Sequence, residues 1–404
     1  MTTTALHEPP ARRLRIAYVT DAIHMRGGQE RCSAEVLKRL APRHDVDVVT
    51  VTLDGVDPAL FQNVRLVQAK RKPYLRSVFE FYFAAGKAVA QGGEYDIVHA
   101  NGGIISGANF VAAHYCQRAW GECLAQHPEV RRGTNAYHAL FWRITGAMEQ
   151  QTYRSPRLRG IAAVSGRTGR DLHRFYGADP EKTSVIYNGA DPLMFSPGNR
   201  AAYRDVIRAR YNIPTGAVLL LFVGEYNRKG LDTVVRAMAR TKTATPYHLL
   251  AVGAGNPAPF EALAQSLGVA DKVTFAPPTG NIEQVFGAAD GFVFPTFFEP
   301  FGMVILEAMF SGVPVITTQI AGAAELIRHG ETGYLVASPT DAAGFAEQID
   351  ALVSQSPRAR ADFGQAGLDS VRYQTWDRVA AQVESAYLRA ASGSVAPARV
   401  DTPR

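Results

Sequence analysis

Residues 296–314 read T-F-F-E-P-F-G-M-V-I-L-E-A-M-F-S-G-V-P, and a run of strand character, 313–317, follows at once. The stretch predicts the end of a strand, a turn carrying Gly302, and a helix that starts near that glycine. A helix start presents backbone N–H groups with no partner inside the helix, and these attract a phosphate. Two glutamates eight residues apart flank the turn. Glu299 precedes it, and Glu307 lies just over one turn into the helix. There its carboxylate can accept bonds from sugar hydroxyls beside a bound phosphate.

The same alternation extends along the whole chain. Strand-like apolar runs occur at 14–20, 46–53, 95–100, 109–115 and 160–165, and a second series at 217–224, 247–253, 272–275, 291–294 and 313–317. Helical patterns stand between them, as at 29–40, 135–153, 231–239 and 340–353. Apolar strands alternating with helices give a parallel sheet covered on both faces. Two series predict two Rossmann-like, doubly wound α/β domains facing across a cleft. The boundary falls within 188–215, which holds Pro192, Pro197, Pro214, Gly189 and Gly198. The expected division is 1–195, then 196–374, then a helix at 375–391 that could return to the first domain, then a flexible tail at 392–404. Ligands of open α/β sheets bind beyond the carboxyl ends of the strands.

The chain has 404 residues, natural for two domains. Its 47% of apolar residues supply full cores and exclude a disordered chain. Residues 1–13 are polar and contain no apolar core of signal-peptide length, and no run approaches the ~20 apolar residues of a membrane span. Cys32, Cys116 and Cys123 show no C-x-x-C pattern, which argues against a disulfide framework or a zinc site and fits a reducing cytoplasm. The net charge of +6 is uneven: residues 1–200 hold 26 Lys/Arg against 18 Asp/Glu, and the remainder holds 17 against 19. A basic N-terminal half implies an anionic partner, such as a phosphate-rich glycolipid, a membrane surface or nucleic acid. The plain alternative is that mild basicity only aids solubility.

Several motifs fall at strand ends. R-G-G-Q-E at 26–30 follows the first strand, and Gly27 and Gly28 let the backbone approach a phosphate closely. N-R-K-G at 227–230 places Arg228 and Lys229 where a diphosphate would sit; Arg grips two oxygens and Lys adds a point charge. Alone, each motif is also compatible with an ordinary glycine turn or a solvated basic loop. G-A-G-N-P-A at 253–258 mimics a dinucleotide fingerprint, but the next strand ends in A-P-P with no acidic residue. A loop at Gly253 that lines a nucleotide is expected instead, with Thr279 near the base. His114 ends a strand in the first domain, where it would bond a sugar hydroxyl, move a proton, or simply bond local backbone; His99 ends the preceding strand with a weaker claim. K-R-K-P-Y-L-R-S-V-F-E-F-Y-F at 70–83 mixes four cations with five aromatics, the pattern of an interfacial segment on an anionic bilayer or of a helix packing its aromatics inward. A second basic run, from Arg131 and Arg132 to Arg159, would extend that surface. D-V-D at 45–47 reads as a turn. No metal-ligand spacing, nucleophile elbow or P-loop lysine appears.

Taken together, these residues resemble family 4 glycosyltransferases of the GT-B fold. The likeness runs from Gly27 and Gly28 to Gly333. It is strongest in E-P-F-G, L-E-A-M, S-G-V-P-V-I and G-E-T-G-Y-L-V between 299 and 336, with A-V-S at 163–165, N-G-A-D at 188–191 and F-S-P at 195–197 in support. The resemblance implies retaining transfer of a hexose from a nucleotide sugar, with UDP expected, without a metal or other cofactor. It implies that Glu307 binds ribose hydroxyls, that Glu299 lies near the donor sugar and that Arg228 and Lys229 hold the diphosphate. Gly28 matches the first-domain phosphate loop, and His114 falls near the acceptor side. The backbone of Phe301, Gly302 and Met303 would face phosphates and sugar. Glu225 stands where many relatives carry arginine, so Arg228 must supply that charge. The short loop resembles that of lipopolysaccharide core glucosyltransferases. This implies a glycolipid or glycan acceptor and a cytoplasmic enzyme peripheral to the inner face of the membrane. A donor phosphate oxygen is the expected proton acceptor. An epimerase of the same fold and a non-catalytic nucleotide-sugar binder are the rivals; nucleic acid is not expected as a partner, because no readout motif accompanies the basic charge.

Overall fold

The computed structural model describes residues 12–70, 72–103, 105, 107–131 and 135–393. Residues 1–11, Arg71, Arg132 and the tail from 394 onward lie outside that description. The chain divides into two compact units: Met1–Gln126, Arg131–Gly189 and Trp376–Arg404 in the first, His127–Val130 and Ala190–Thr375 in the second.

In unit 1, strands β1 (Arg15–Val19), β2 (Asp45–Thr50), β3 (Asn63–Leu66), β4 (Ile97–Asn101), β5 (Phe110–Ala113), β6 (Gly160–Ala163) and β7 (Thr183–Val185) form a parallel sheet. Their order is β3-β2-β1-β4-β5-β6-β7. Central strands such as β1 and β5 are buried along almost their whole length, as the apolar runs require. Helices α1 (Gln29–Leu40), α2 (Tyr74–Gln91), α3 (Gln117–Gln126), α4 (Ala136–Tyr153) and α5 (Gly166–Tyr176) lie between strands.

Unit 2 repeats the plan. Strands β8 (Val218–Val223), β9 (Tyr247–Val252), β10 (Val273–Ala276), β11 (Gly291–Phe294), β12 (Val315–Thr318) and β13 (Tyr334–Val336) run in the order β10-β9-β8-β11-β12-β13, all parallel. Helices α6 (Asn199–Arg210), α7 (Leu231–Met238), α8 (Ala258–Ser266), α9 (Ile282–Ala288), α10 (Met303–Phe310), α11 (Ala342–Val353) and α12 (Pro357–Val371) complete it. Both sheets reverse strand order beside their first strand, the doubly wound switch point. The last helix, α13 (Trp376–Ser392), clusters with unit 1. There its Tyr387 hydroxyl lies 2.7 Å from His99 Nδ1, and Glu384 receives Arg43 at 2.9 Å.

Four expectations change. The stretch 45–47 is not a turn: Asp45 and Asp47 open β2, and the buried Asp47 accepts from Asn63 Nδ2 (2.8 Å) and Tyr95 Oη (2.5 Å). The run 46–53 is not one strand, because β2 ends at Thr50 and Thr52–Leu53 pairs instead with Ala22–Ile23. The segment 188–215 is more than a linker, since it contains α6, whose Ile207 is buried. The aromatics of 70–83 belong to α2 and divide: Phe81 packs inward, while Tyr74, Phe79 and Phe83 stay exposed.

Candidate active site

The carboxyl ends of β8, β9, β11 and β12 converge around glycines that tolerate no side chain. A Cβ on Gly253, just after β9, would stand 1.8 Å from the carbonyl oxygen of Gly224, just after β8. A Cβ on Gly230 would stand 2.2 Å from Pro295 O, and one on Gly322 2.0 Å from Pro300 O. Gly224, Gly230 and Gly302 also adopt positive φ (147°, 76° and 99°), which L side chains resist. Gly230, Gly253 and Gly302 were legible in the sequence; Gly224 and Gly322 were not singled out, although a glycine directly beyond an apolar run was the available signal for Gly224.

Between Gly224 and Gly230 the chain folds into a tight loop, and Glu225 holds it. Its carboxylate accepts the N–H of Asn227 (3.1 Å), the N–H of Arg228 (2.8 Å) and the side-chain amide of Asn227 (3.3 Å). This residue therefore organises the loop at the position where a cation was missing. The loop drives Lys229 inward, where it is buried. Its ammonium lies over the Phe294 ring, 5.3 Å from the centroid, and pairs with Glu299. Burial pushes the Lys229 pKa down, and the Glu299 carboxylate opposes that shift. Arg228 remains partly exposed, and its backbone oxygen accepts from Phe297 N at 3.1 Å.

The β11–α10 turn is fastened from β12 and the loop beyond it. Thr317 Oγ1 donates to Phe294 O (2.8 Å) and Thr318 Oγ1 to Thr296 O (3.1 Å). Gly322 N donates to Glu299 O (3.0 Å) and Ala323 N to Phe301 O (2.7 Å). With its backbone fixed, Glu299 can meet a lysine seventy positions away. Helix α10 begins at Met303 behind Gly302, which offers no side-chain cap. Gly230 before α7 and Gly28 before α1 offer none either, whereas Ser165, Asp341 and Ser356 cap their helices with side chains. Phe301 and Glu307 are buried and Met303 is partly exposed. Thr279 lies beyond β10, partly exposed, and its hydroxyl accepts from Asn281 N at 3.2 Å.

Gly27, Gly28 and His114 belong to unit 1. The glycine pair follows the short strand Ala22–Ile23 rather than β1 itself, and Gly27 has φ 84°. His114 stands one residue past β5, and burial pushes its imidazole down to about 4. It is therefore neutral near pH 7 and suited to hydrogen bonding more than to taking up a proton. His99 is not at the end of its strand. It sits inside β4, stacked on Tyr18 at 4.1 Å, with burial pushing its pKa down to about 3. It is a core residue.

The paired cation and carboxylate stand beside uncapped helix starts at the switch of a doubly wound sheet, where open α/β sheets bind their ligands. Residues 26–192 match the family described as Glycosyltransferase Family 4, and residues 203–369 that described as Glycosyl transferases group 1. The D-inositol 3-phosphate glycosyltransferase of Stackebrandtia nassauensis is 31% identical over 316 residues, covering 73% of this chain and 68% of the relative. The enzyme of that name from Streptomyces scabiei is 27% identical over 95% of this chain and 92% of its own length. Among solved structures, WaaG, a glycosyltransferase involved in lipopolysaccharide biosynthesis, matches with TM-score 0.76 and 25% identity over 91% of this chain and 99% of WaaG. Anabaena Alr3699/HepE, solved in complex with UDP-glucose, shares the fold at TM-score 0.68 and 19% identity, over 92% of this chain and 99% of its own. The chain belongs to the group 1, family 4 glycosyltransferases, and its two Rossmann-like units are those of the GT-B fold.

Proposed function

We propose that the enzyme moves a hexose from a nucleoside diphosphate sugar, with UDP as the nucleotide, to a hydroxyl of an anionic acceptor, with retention at the anomeric carbon and without a resident metal. The observation that carries this reading is the pairing of buried Lys229 with partly exposed Glu299 between the uncapped starts of α7 and α10. Arriving diphosphate would engage Lys229 and Arg228 and free the Glu299 carboxylate toward the donor sugar. Glu307 would take the ribose hydroxyls, the backbone at Phe301, Gly302 and Met303 the phosphates and sugar, and Gly253 and Thr279 the base. Gly27, Gly28 and His114 would serve from unit 1. The acceptor oxygen forms the new bond to the anomeric carbon as the carbon–oxygen bond to phosphate breaks. Its proton passes to a phosphate oxygen of the departing nucleotide, whose growing charge the two cations stabilise.

For the acceptor, a phosphorylated polyol is the first choice. Relatives named for D-inositol 3-phosphate align along most of the chain, and the basic N-terminal half suits a phosphate-bearing substrate. A second reading, a lipopolysaccharide-core glycolipid at the inner membrane face, draws on the likeness to WaaG. The exposed Tyr74, Phe79 and Phe83 of α2 beside Lys72 also favour it. In either reading the enzyme works in the cytoplasm; among the described residues no helix is long and apolar enough to cross a membrane.

The test is a thermal-shift series with UDP, GDP, ADP and their hexose conjugates, followed by transfer assays on inositol 3-phosphate and on core glycolipid. A UDP-hexose should raise the melting temperature most, since a ligand that binds only the folded state stabilises it. A product formed from donor alone would support an epimerase instead, and no response to any nucleotide would end the donor assignment.

A further inference from the structure

A cavity of about 990 Å³ opens in unit 2, lined by none of the candidate active-site residues. Its walls include Ala217, Asp290 and Pro314, which stand immediately before β8, β11 and β12 respectively. These strands are parallel, so the cavity lies on the amino-terminal edge of the sheet, opposite the edge that carries Lys229 and Glu299.

Four arginines line it. Arg200, Arg204 and Arg208 recur at four-residue spacing along one face of α6, and Arg360 comes from α12. Like charges at that spacing destabilise a helix unless something gathers them. Asp290 gathers three: one carboxylate oxygen accepts Arg200 Nη2 at 2.6 Å and Arg204 Nη1 at 2.9 Å, and the other accepts Leu219 N at 2.9 Å and pairs more loosely with Arg208. Arg208 is left with less. Its Nη2 donates to the backbone oxygens of Ala217 (2.7 Å) and Pro214 (3.1 Å), while its buried Nη1 makes no hydrogen bond and only an ion pair with Asp290 at 3.5 Å. Arg360 donates Nη1 to Val353 O at 3.1 Å and to Gln355 O. Burial, and then the neighbouring arginine charge, pushes the Arg208 pKa down. Holding Asp290 does not require four guanidinium groups.

We propose that this cavity is a second binding site, for a small phosphorylated solute, and that Arg204, Arg208 and Arg360 are its anchors. Guanidinium groups pair with phosphate oxygens through two parallel N–H bonds. A concave space of this size suits a small molecule rather than a flat lipid surface. An anion there offsets the crowding of positive charge along α6.

The test is calorimetric titration of the full chain with inorganic pyrophosphate in saturating UDP, so that the carboxyl-edge site is already filled. One saturable pyrophosphate site is expected, weakened about ten-fold or more by Arg360→Gln and by Arg204→Gln, with basal transfer activity unchanged in both. Arg204→Lys, which keeps the charge, should retain binding closer to wild type, and it guards against a glutamine variant that fails to fold. Absence of saturable binding at millimolar pyrophosphate, or equal binding by wild type and both glutamine variants, overturns the proposal. So does arginine-dependent binding that appears only with phosphatidylglycerol vesicles and not with pyrophosphate. Failure of UDP itself to bind would count against the donor reading alone, because loss of pyrophosphate binding in the arginine variants still decides for or against this cavity.

Discussion

Lys229 shows how a single position gathers several constraints. It follows a loop held by Glu225, it is walled by Phe294, and it faces a carboxylate whose backbone is pinned from Gly322. A lysine so desolvated gains from any added negative charge nearby, and a diphosphate brings that charge. Lys229→Ala should therefore leave far-UV circular dichroism unchanged and lower turnover with the preferred donor by about 10²–10³-fold. Turnover close to wild type would overturn the proposed role of Lys229 at the diphosphate. The sequence made both members of the pair visible, as charges beside glycine turns at strand ends. Their mutual contact was not visible, because it depends on how two adjacent strands bring distant loops together. The role of Glu225 was hidden for a similar reason: sequence shows a carboxylate where a cation was expected, but not the three bonds that carboxylate makes.

Among the elements, helix α4 carries a buried acid with a shifted titration. Glu149 Oε2 accepts Gln117 N, at the start of α3, at 2.9 Å, and Tyr176 Oη, at the end of α5, at 2.5 Å. Burial raises its pKa to about 7, against those two hydrogen bonds and the attraction of Arg118. The folded chain thus keeps Glu149 protonated in a range where the unfolded chain ionises it. Its contribution to stability is fully present below the ordinary carboxylate range and is lost as pH rises toward 7, by up to about 3 kcal/mol. Calorimetry of Glu149→Gln against wild type should show a melting-temperature difference that shifts in the variant's favour between pH 4.5 and 7 and then levels off. A difference constant across that range would refute the assignment. At this scale legibility followed burial. The buried strand β11 was read to the residue, and β8 and β9 within a residue or two at each end. The edge strands β3, β7 and β13 were not read, because they are only three or four residues long and partly exposed.

For the molecule as a whole, both sheets were legible as a class because alternating apolar runs and helical periods leave few alternatives. The membership of α13 was not, since its apolar face is compatible with either unit. Its Trp376, Val379, Val383 and Tyr387 are buried, and each such side chain contributes about 1.5–3 kcal/mol on burial, so their sum rivals the ~5–15 kcal/mol that holds a whole domain. A chain stopped at Thr375 should lose unit 1 to limited proteolysis while residues 190–375 persist as a resistant fragment. Survival of unit 1 in that chain would show that α13 is dispensable. Unit 2 is nearly continuous in sequence, whereas unit 1 is closed by the last described helix. Synthesis therefore reverses the usual N-terminal-first order: the half made earliest cannot finish until residue 392 has left the ribosome, and in the interval its bare sheet face is the surface that chaperones would have to shield.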